Sequence, residues 1–308
     1  MIPLQKAIIK TVAYFDLFDF PLTSFEIYKY LFSPEQKYSL LTVEKTTASL
    51  PNLETKQGFY FFPGRESTIL TRKQRYLLAQ QKIKQNRFYF LLLAKMPFVK
   101  EIYIVNNLSY LNAPKNSDID LAIITAPNKI WTARFFCALT MKLLNKRPTP
   151  NNQKNKICLS FFATEDFQDY DKLMYDDDIH FVYWLSQWRP ITKLQNPKSS
   201  PRFDHRVEAG KIQNWMKNYL PNTYQTETNR RWITKNDSKL KKFLQFIFQG
   251  FEIFFKRIQL ANLSKDLRQL SRTSPKDVIL SDQVLKLHTK DNRLQIKQLN
   301  ENKIKSFL

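Results

Sequence analysis

The spacing of apolar positions in the first 62 residues predicts three helices followed by a pair of strands. Pro21 ends the first helix, because a residue that precedes a proline is held in extended geometry. Thr23 or Ser24 then caps the second helix, whose apolar residues recur at helical spacing. The predicted elements are helices at 4–19, 22–32 and 42–50 and two strands within 53–62 around Gln57 and Gly58.

The middle of the chain predicts a small unit in which strands and helices alternate. Residues 66–95 have the pattern of one long basic helix, and Pro97 ends it. Short apolar runs and longer helical patterns then follow each other. They predict strands at 101–105, 120–125 and 156–162 and helices at 129–145 and 177–188. The acidic stretch Asp176–Asp178 suits the first turn of the last helix better than a second metal site.

These elements predict an α+β protein of four parts. The parts are a winged-helix-like domain at 1–64, a connecting helix at 65–97, a small mixed-sheet domain at 98–200 and a basic helical C-terminal region at 201–308. Three helices followed by a hairpin is the order of elements in a winged-helix domain. Its third helix carries Lys45 as its one base, next to Glu44, so we favour packing or dimerisation over nucleic-acid binding.

The C-terminal region combines an apolar helical repeat with an excess of basic residues. Within 243–260 the repeat forms a wide apolar face, which favours core packing over membrane-surface binding because Glu252 and two glutamines interrupt it. Residues 229–308 contain 18 Lys and Arg against 7 Asp and Glu, a net charge of +11 out of +22 for the chain. The excess makes RNA or DNA one candidate partner, and the alternative is the bias of an AT-rich genome.

Composition excludes several classes of protein. At 308 residues and 43% hydrophobic content, the chain has enough apolar material for more than one core. Cys137 and Cys158 fit no disulfide framework or zinc spacing, and we expect two reduced buried thiols. His180, His205 and His288 are far apart, and we expect ordinary surface or helix residues. No signal peptide or long uncharged apolar stretch is evident, which predicts a cytoplasmic protein.

Asp118 and Asp120 are the strongest candidates for chemistry. They lead into an apolar strand, where residues two apart point to the same face, about 7 Å from each other. Two carboxylates placed in this way can bind Mg²⁺ or Mn²⁺. The pair alone is weak evidence, because a solvated strand end tolerates a repulsion of about 0.6 kcal/mol in water.

The residues around Asp118 and Asp120 strengthen the interpretation of this pair as metal ligands. A strand, a loop and then Ser-Asp-Ile-Asp-Leu at 117–121 resemble the polymerase-beta-type nucleotidyltransferase superfamily, over about 98–165. The order of YFDLFDFPLT, GFYFFPGRE, PFVKEIYIV, SDIDLAIIT and KICLSFF also resembles bacterial nucleotidyltransferase-domain proteins with an N-terminal winged-helix-like region. The resemblance implies that Asp118 and Asp120 bind metal and catalyse. It also implies that Asn106, Asn107 and Ser117 bind an NTP. Arg134 on the next helix is a candidate phosphate contact, but we favour an ordinary surface residue there.

The chain departs from that superfamily in two places. Asn106 and Asn107 stand where the superfamily has Gly-Ser, and asparagine tolerates left-handed backbone geometry but keeps a bulky amide. The superfamily's third carboxylate has no obvious equivalent, since Ser160 is the polar candidate on the next strand. Glu165 or Asp166 would reach the pair only if the strand end curled back.

Three functions therefore remain open from the sequence. The first is metal-dependent transfer of a nucleoside monophosphate from an NTP to a hydroxyl acceptor, with catalysis weakened by the two departures. The second is a non-catalytic nucleotide- or nucleic-acid-binding regulatory module. The third is a protein that assembles through its N- and C-terminal helices.

Overall fold

The structure is a computed structural model of the 308-residue chain. It describes residues 2–149, 151–191, 215–218, 239–288 and 291–307, without the side chain of Ser160. His205 and the Pro- and Ser-rich stretch at 192–204 lie outside these residues. No helix in the described part of the chain combines the length and the apolar character that crossing a membrane requires.

The described elements follow the predicted order as far as residue 190. The helices in this part are α1 (Pro3–Asp16), α2 (Ser24–Tyr30), α3 (Leu40–Ala48), α4 (Thr68–Ala94), α5 (Ile130–Leu143) and α6 (Ile179–Ser186). The strands are β1 (Glu54–Lys56), β2 (Phe59–Phe61), β3 (Val99–Ile104), β4 (Ile119–Thr125), β5 (Ile157–Thr164) and β6 (Arg189–Pro190). One-turn 3-10 helices lie at Asn106–Leu108 and Tyr170–Leu173.

Residues 239–305 contain strands as well as helices. The elements are α7 (Lys239–Ile247), α8 (Glu252–Ala261), α9 (Lys265–Thr273), β7 (Val278–Leu280), β8 (Val284–Leu287) and α10 (Arg293–Lys305). The prediction of a purely helical C-terminal region is therefore wrong for 278–287. Runs of three and four residues are too short to show a period, and pairing decides their conformation, because β8 pairs with β5 and β7 pairs with β8.

A six-stranded mixed sheet forms the centre of the molecule. Its strand order is β6-β3-β4-β5-β8-β7, with β4 and β5 parallel and every other neighbouring pair antiparallel. The expectation of an α+β protein with a small mixed sheet is confirmed. The boundaries of the four predicted parts, and the winged-helix character of the first, stay predictions.

Each face of this sheet is covered by helices. One face packs against α4, α5 and α8 through residues that include Phe90, Trp131 and Phe255. The other face packs against α1 and α6 through residues that include Tyr14 and Trp188. Because strand side chains alternate between faces, odd-numbered Ile119 and Leu121 enter the first core, whereas Ala122 and Ile124 enter the second.

The N-terminal segment is built by ordinary local rules. Thr23 caps α2, since its hydroxyl accepts a hydrogen bond from the backbone N–H of Glu26 at 3.3 Å. Gln57 and Gly58 both have positive φ, at 54° and 78°, as the tight turn between β1 and β2 requires. The chain continues into α4, which carries the polypeptide from this segment to the central sheet.

The apolar face at 243–260 is only partly buried. Phe255 lies in the core and Phe248 packs against it. Phe243, Phe246 and Phe254 remain exposed, with relative exposures of 60, 80 and 53%. The core-packing prediction therefore holds for one side of α8 and is wrong for most of α7.

Candidate functional site

A cavity of about 320 Å³ lies between the second face of the sheet and the helices that cover it. The start of β4, the end of β8 and the 3-10 turn at Asn106–Leu108 form its polar floor. Aromatic residues of α1, α6 and the adjoining loops form its walls. Its lining aromatics are Tyr14, Phe15, Phe18, Phe20, Tyr110, Phe161, Phe181 and Trp184.

All five residues that the sequence singled out line this cavity. They are Asn106, Asn107, Ser117, Asp118 and Asp120. Asp118 lies directly before β4, and Asp120 is its second residue. The local pattern therefore identified one side of a real cavity.

Asn106 has the backbone conformation expected of a glycine substitute. Its φ is +57°, in the left-handed region that asparagine enters more readily than most residues. Its side chain hydrogen-bonds the Asp120 carboxylate. The amide therefore orients a candidate metal ligand, and Asn107 is the exposed member of the turn.

A buried lysine fixes the loop that carries Asp118. Lys82 of α4 is 4% exposed, and its Nζ donates to the carbonyl oxygen of Ser117 at 2.6 Å. The same Nζ lies 3.3 Å from Ser117 Oγ, whose hydroxyl donates to the carbonyl of Pro114 at 3.0 Å. Ser117 is thus a structural anchor as well as a lining residue. The sequence did not reveal Lys82, which looks like any base on a long polar helix.

The two carboxylates are partly withdrawn from water, and the charge of Lys82 offsets only part of the rise in the pKa of Asp118. Burial and the charge of Asp120 raise the pKa of Asp118 to about 6. Burial also raises the pKa of Asp120, and hydrogen bonds from Asn106 and Cys158 oppose that rise. In the described parts of the chain, neither aspartate forms a salt bridge with a lysine or arginine. A bound divalent cation would supply the missing positive charge.

His288 and Cys158 are the neighbours of Asp120 that the sequence analysis missed. His288 follows β8, and its Nε2 lies 3.9 Å from Oδ1 of Asp120. Cys158 is the register partner of Asp120 on β5. The expectation of a buried thiol is wrong for Cys158, which is half-buried, whereas the expectation for His288 stays a prediction. Cys137 is buried in the other core as expected, and neither cysteine is in a disulfide.

An ion network holds the β8 end of the cavity. Arg293 of α10 donates to Asp178 at 2.9 Å and to Asp291 at 2.8 Å, and Lys286 of β8 pairs with Asp291 at 2.5 Å. Burial would raise the pKa of Asp291, but Lys286 and Arg293 lower it to about 2. Asp178 also accepts from the backbone N–H of Phe181 at 2.9 Å and so caps α6. The expectation of an acidic first turn is wrong for Asp176 and Asp177, which precede the helix.

Two other predicted contacts lie away from the cavity. Glu165 lies near the end of β5 and pairs with Lys100 at 3.4 Å, whereas Asp120 is beside the beginning of that strand. Six residues of strand separate these positions by about 20 Å, so Glu165 cannot supply the third carboxylate. Arg134 packs between α5 and α8, where its Nη1 donates to Gln259 at 2.5 Å. Neither side chain lines the cavity.

Much of the basic C-terminal charge is used inside the fold. Lys241 is buried and donates to the carbonyls of Ala94 and Val99 at 3.0 and 2.6 Å. Lys286 and Arg293 belong to the ion network described above. These three of the 18 basic residues are therefore not on the outer surface that RNA or DNA would contact.

Comparisons with protein-family models, curated proteins and solved structures find no match to this chain. The function is therefore inferred from the cavity and its residues.

Proposed function

We propose that the protein binds an NTP in this cavity and transfers its nucleoside monophosphate to a hydroxyl acceptor in a divalent-cation-dependent reaction. The observation that supports the proposal most directly is the position of Asp118 and Asp120 at the cavity floor, beside Asn106, Asn107 and Ser117. These are the residues to which the resemblance to the nucleotidyltransferase superfamily assigns metal and nucleotide binding.

The donor chemistry at the floor fits Mg²⁺ or Mn²⁺. Both aspartates offer carboxylate oxygens, the ligands that hard divalent cations prefer. The lining residues include three carboxylates, of Asp118, Asp120 and Asp291, against Lys286 and Arg293, so the cavity has a formal charge of −1 when its histidines are neutral. A triphosphate is strongly anionic and therefore needs cations with it. A bound cation would neutralise the phosphates and lower the pKa of an attacking hydroxyl.

The protein's own side chains would bind and orient the nucleotide. Tyr14, Phe18 and Trp184 present aromatic surface to the cavity, where a base can stack. The side chain of Asn106 hydrogen-bonds the Asp120 carboxylate. The side-chain amide of Asn107 is exposed and can donate to a phosphate oxygen. Lys82 fixes the loop before Asp118. Catalysis by such a site rests on positioning and electrostatics.

The proposal is tested by measuring the transfer of radiolabelled nucleoside monophosphate from each NTP. The assay contains Mg²⁺ or Mn²⁺ and a panel of RNA, small-molecule and protein acceptors. Asp118→Asn and Asp120→Asn should each lower the rate by at least ~100-fold, because each removes a charged metal ligand. Asp166→Asn is the matched control, since Asp166 is an exposed acid outside the cavity. Equal rates in all four proteins would contradict the proposal.

A second function is supported by what surrounds Asp120. The Asn106 amide bonds that carboxylate, and Cys158 occupies the neighbouring position on β5. Both arrangements favour a descendant that binds nucleotide without transferring it. Calorimetry with a non-hydrolysable NTP distinguishes the two functions. Tight, cation-dependent binding without transfer supports the binding module, and absence of binding rejects both.

A further inference from the structure

Three donor atoms of different chemistry converge beside the floor of the cavity, which Asp120 and His288 line. Carboxylate oxygen of Asp120, Sγ of Cys158 and an imidazole nitrogen of His288 all lie within 4.8 Å of one another. They come from three neighbouring strands, in the order β4, β5 and β8. No segment of the sequence contains two of them, so only the sheet brings them together.

The strand register explains the convergence. Asp120 and Cys158 are direct partners across the parallel pair β4–β5. On β8, Lys286 pairs with Phe161, and the antiparallel register brings the following residues towards the beginning of β5. Lys286 and His288 are two residues apart and both line the cavity. His288 therefore reaches Asp120 across the beginning of β5, on the cavity side of the sheet.

The distances are close to those of a metal-bound set. Zinc bonds of about 2.0–2.3 Å in a tetrahedral arrangement separate the donor atoms by about 3.3–3.8 Å. His288 Nε2 and Asp120 Oδ1 are 3.9 Å apart, and the largest separation in the set is within 4.8 Å. Side-chain movements of about an ångström would complete the geometry. The Asp120 side chain is 13% exposed, so the site is sheltered but open to the cavity.

We infer that Asp120, Cys158 and His288 form a binding site for Zn²⁺ or a chemically similar borderline cation. A thiolate, an imidazole and a carboxylate are the ligand types that zinc combines, and a thiolate is a poor ligand for Mg²⁺. Three protein ligands leave a fourth position, which faces the cavity and can take water or a ligand oxygen. Binding replaces the Cys158 proton by the cation and releases that proton to solvent.

This site concerns metal binding and does not depend on nucleotidyl transfer. Both assignments share Asp120, but Asp118 belongs to the transfer site alone. Asp118→Asn should abolish transfer and keep zinc binding, whereas Cys158→Ser should weaken zinc binding whether or not transfer occurs. The failure of one assignment is therefore distinguishable from the failure of the other.

The test uses the full chain, stripped of metal by a chelator and kept reduced with a non-thiol phosphine. Zn²⁺ affinity is measured by competition with a chromophoric chelator, in the presence and absence of a large excess of Mg²⁺. We expect one Zn²⁺ per chain, with an affinity little changed by Mg²⁺, which shares Asp120 but binds a thiolate poorly. Cys158→Ser and His288→Gln should each weaken binding by at least about 100-fold, because each removes one of three ligands.

Absorption by bound Co²⁺ reports directly on the metal ligands, and a change in protein stability alone would not produce the same signal. Co²⁺ bound to a thiolate absorbs in the near ultraviolet through sulfur-to-metal charge transfer, and Cys158→Ser should remove that band while the protein stays folded by circular dichroism. Cys137→Ala is the matched control, since Cys137 lies in the other core. Zinc binding that is absent, or equal in wild type and both ligand variants, or lost in Cys137→Ala, would overturn the inference.

Discussion

Replacing Arg293 by methionine removes a buried cation that joins α10 to Asp178 at the start of α6 and to Asp291. The guanidinium is 6% exposed and bonds Asp178 and Asp291, whose side chains are 2 and 6% exposed. It also donates to the carbonyls of Leu173 and Lys276, both at 2.8 Å. Methionine keeps a long apolar side chain but satisfies none of these four groups.

The cost follows from what the substitution leaves behind. Removal of one partner from a buried ion pair typically costs about 3–5 kcal/mol, because the remaining charge stays buried without compensation. Lys286 still pairs with Asp291 and still donates to the Lys276 carbonyl at 2.9 Å, so Asp178 and the Leu173 carbonyl bear most of the loss. We therefore expect the Arg293→Met protein to lose about 4 kcal/mol of unfolding free energy, near the middle of that range.

Urea-induced unfolding, followed by circular dichroism and by tryptophan fluorescence, measures the loss. Arg257→Met is the matched control, because Arg257 is exposed on α8, and its change should stay within about 0.5 kcal/mol. Arg293→Lys keeps the charge but cannot bridge two carboxylates, so it should fall between the other two proteins. A loss of less than about 1 kcal/mol in Arg293→Met would refute the reasoning, because it would mean that the buried acids do not need this cation.

Three further predictions concern the cavity and the helices around it. Lys82→Met should weaken cation and nucleotide affinity by about 10-fold or more in calorimetry, because the loop at Ser117 loses its anchor, and unchanged affinity would exclude that role. Burial lowers the pKa of His180 to about 4, so the unfolded chain binds this proton at a higher pH than the folded protein does. The free energy of unfolding should therefore fall as the pH drops from about 6.5 to 4. Unfolding measured across that range should show a smaller slope in His180→Gln. Glu252→Gln should cost about 1–2 kcal/mol in urea unfolding, because the carboxylate accepts from the first backbone N–H groups of α5, whereas a cost near zero would show that solvent replaces it.

Elements with a strong internal pattern were predictable from the sequence. The helices α1, α4 and α5 and the strands β3, β4 and β5 all lie within a few residues of their predicted positions. Their apolar periodicity records which face each element buries, and that information is local. The strands β7 and β8 were missed because runs of three and four residues are too short to show a period.

The candidate site also contains residues that local sequence predicts and residues that it does not. Asn106, Asn107, Ser117, Asp118 and Asp120 lie within one strand-loop-strand unit, so their spacing in the sequence already implied proximity. The left-handed backbone of Asn106 was also expected from its residue type, because asparagine tolerates that geometry.

Tertiary structure alone decided the rest of the cavity. Cys158 meets Asp120 through the parallel register of β4 and β5, and His288 arrives because β8 pairs with the far side of β5. Lys82 reaches Ser117 from the middle of a long helix. Sequence by itself determined which short segments are helices or strands and which acids open the central strand. The partners of those acids depended on strand order and register, which are set by how whole elements pack and leave no signal near the residues themselves.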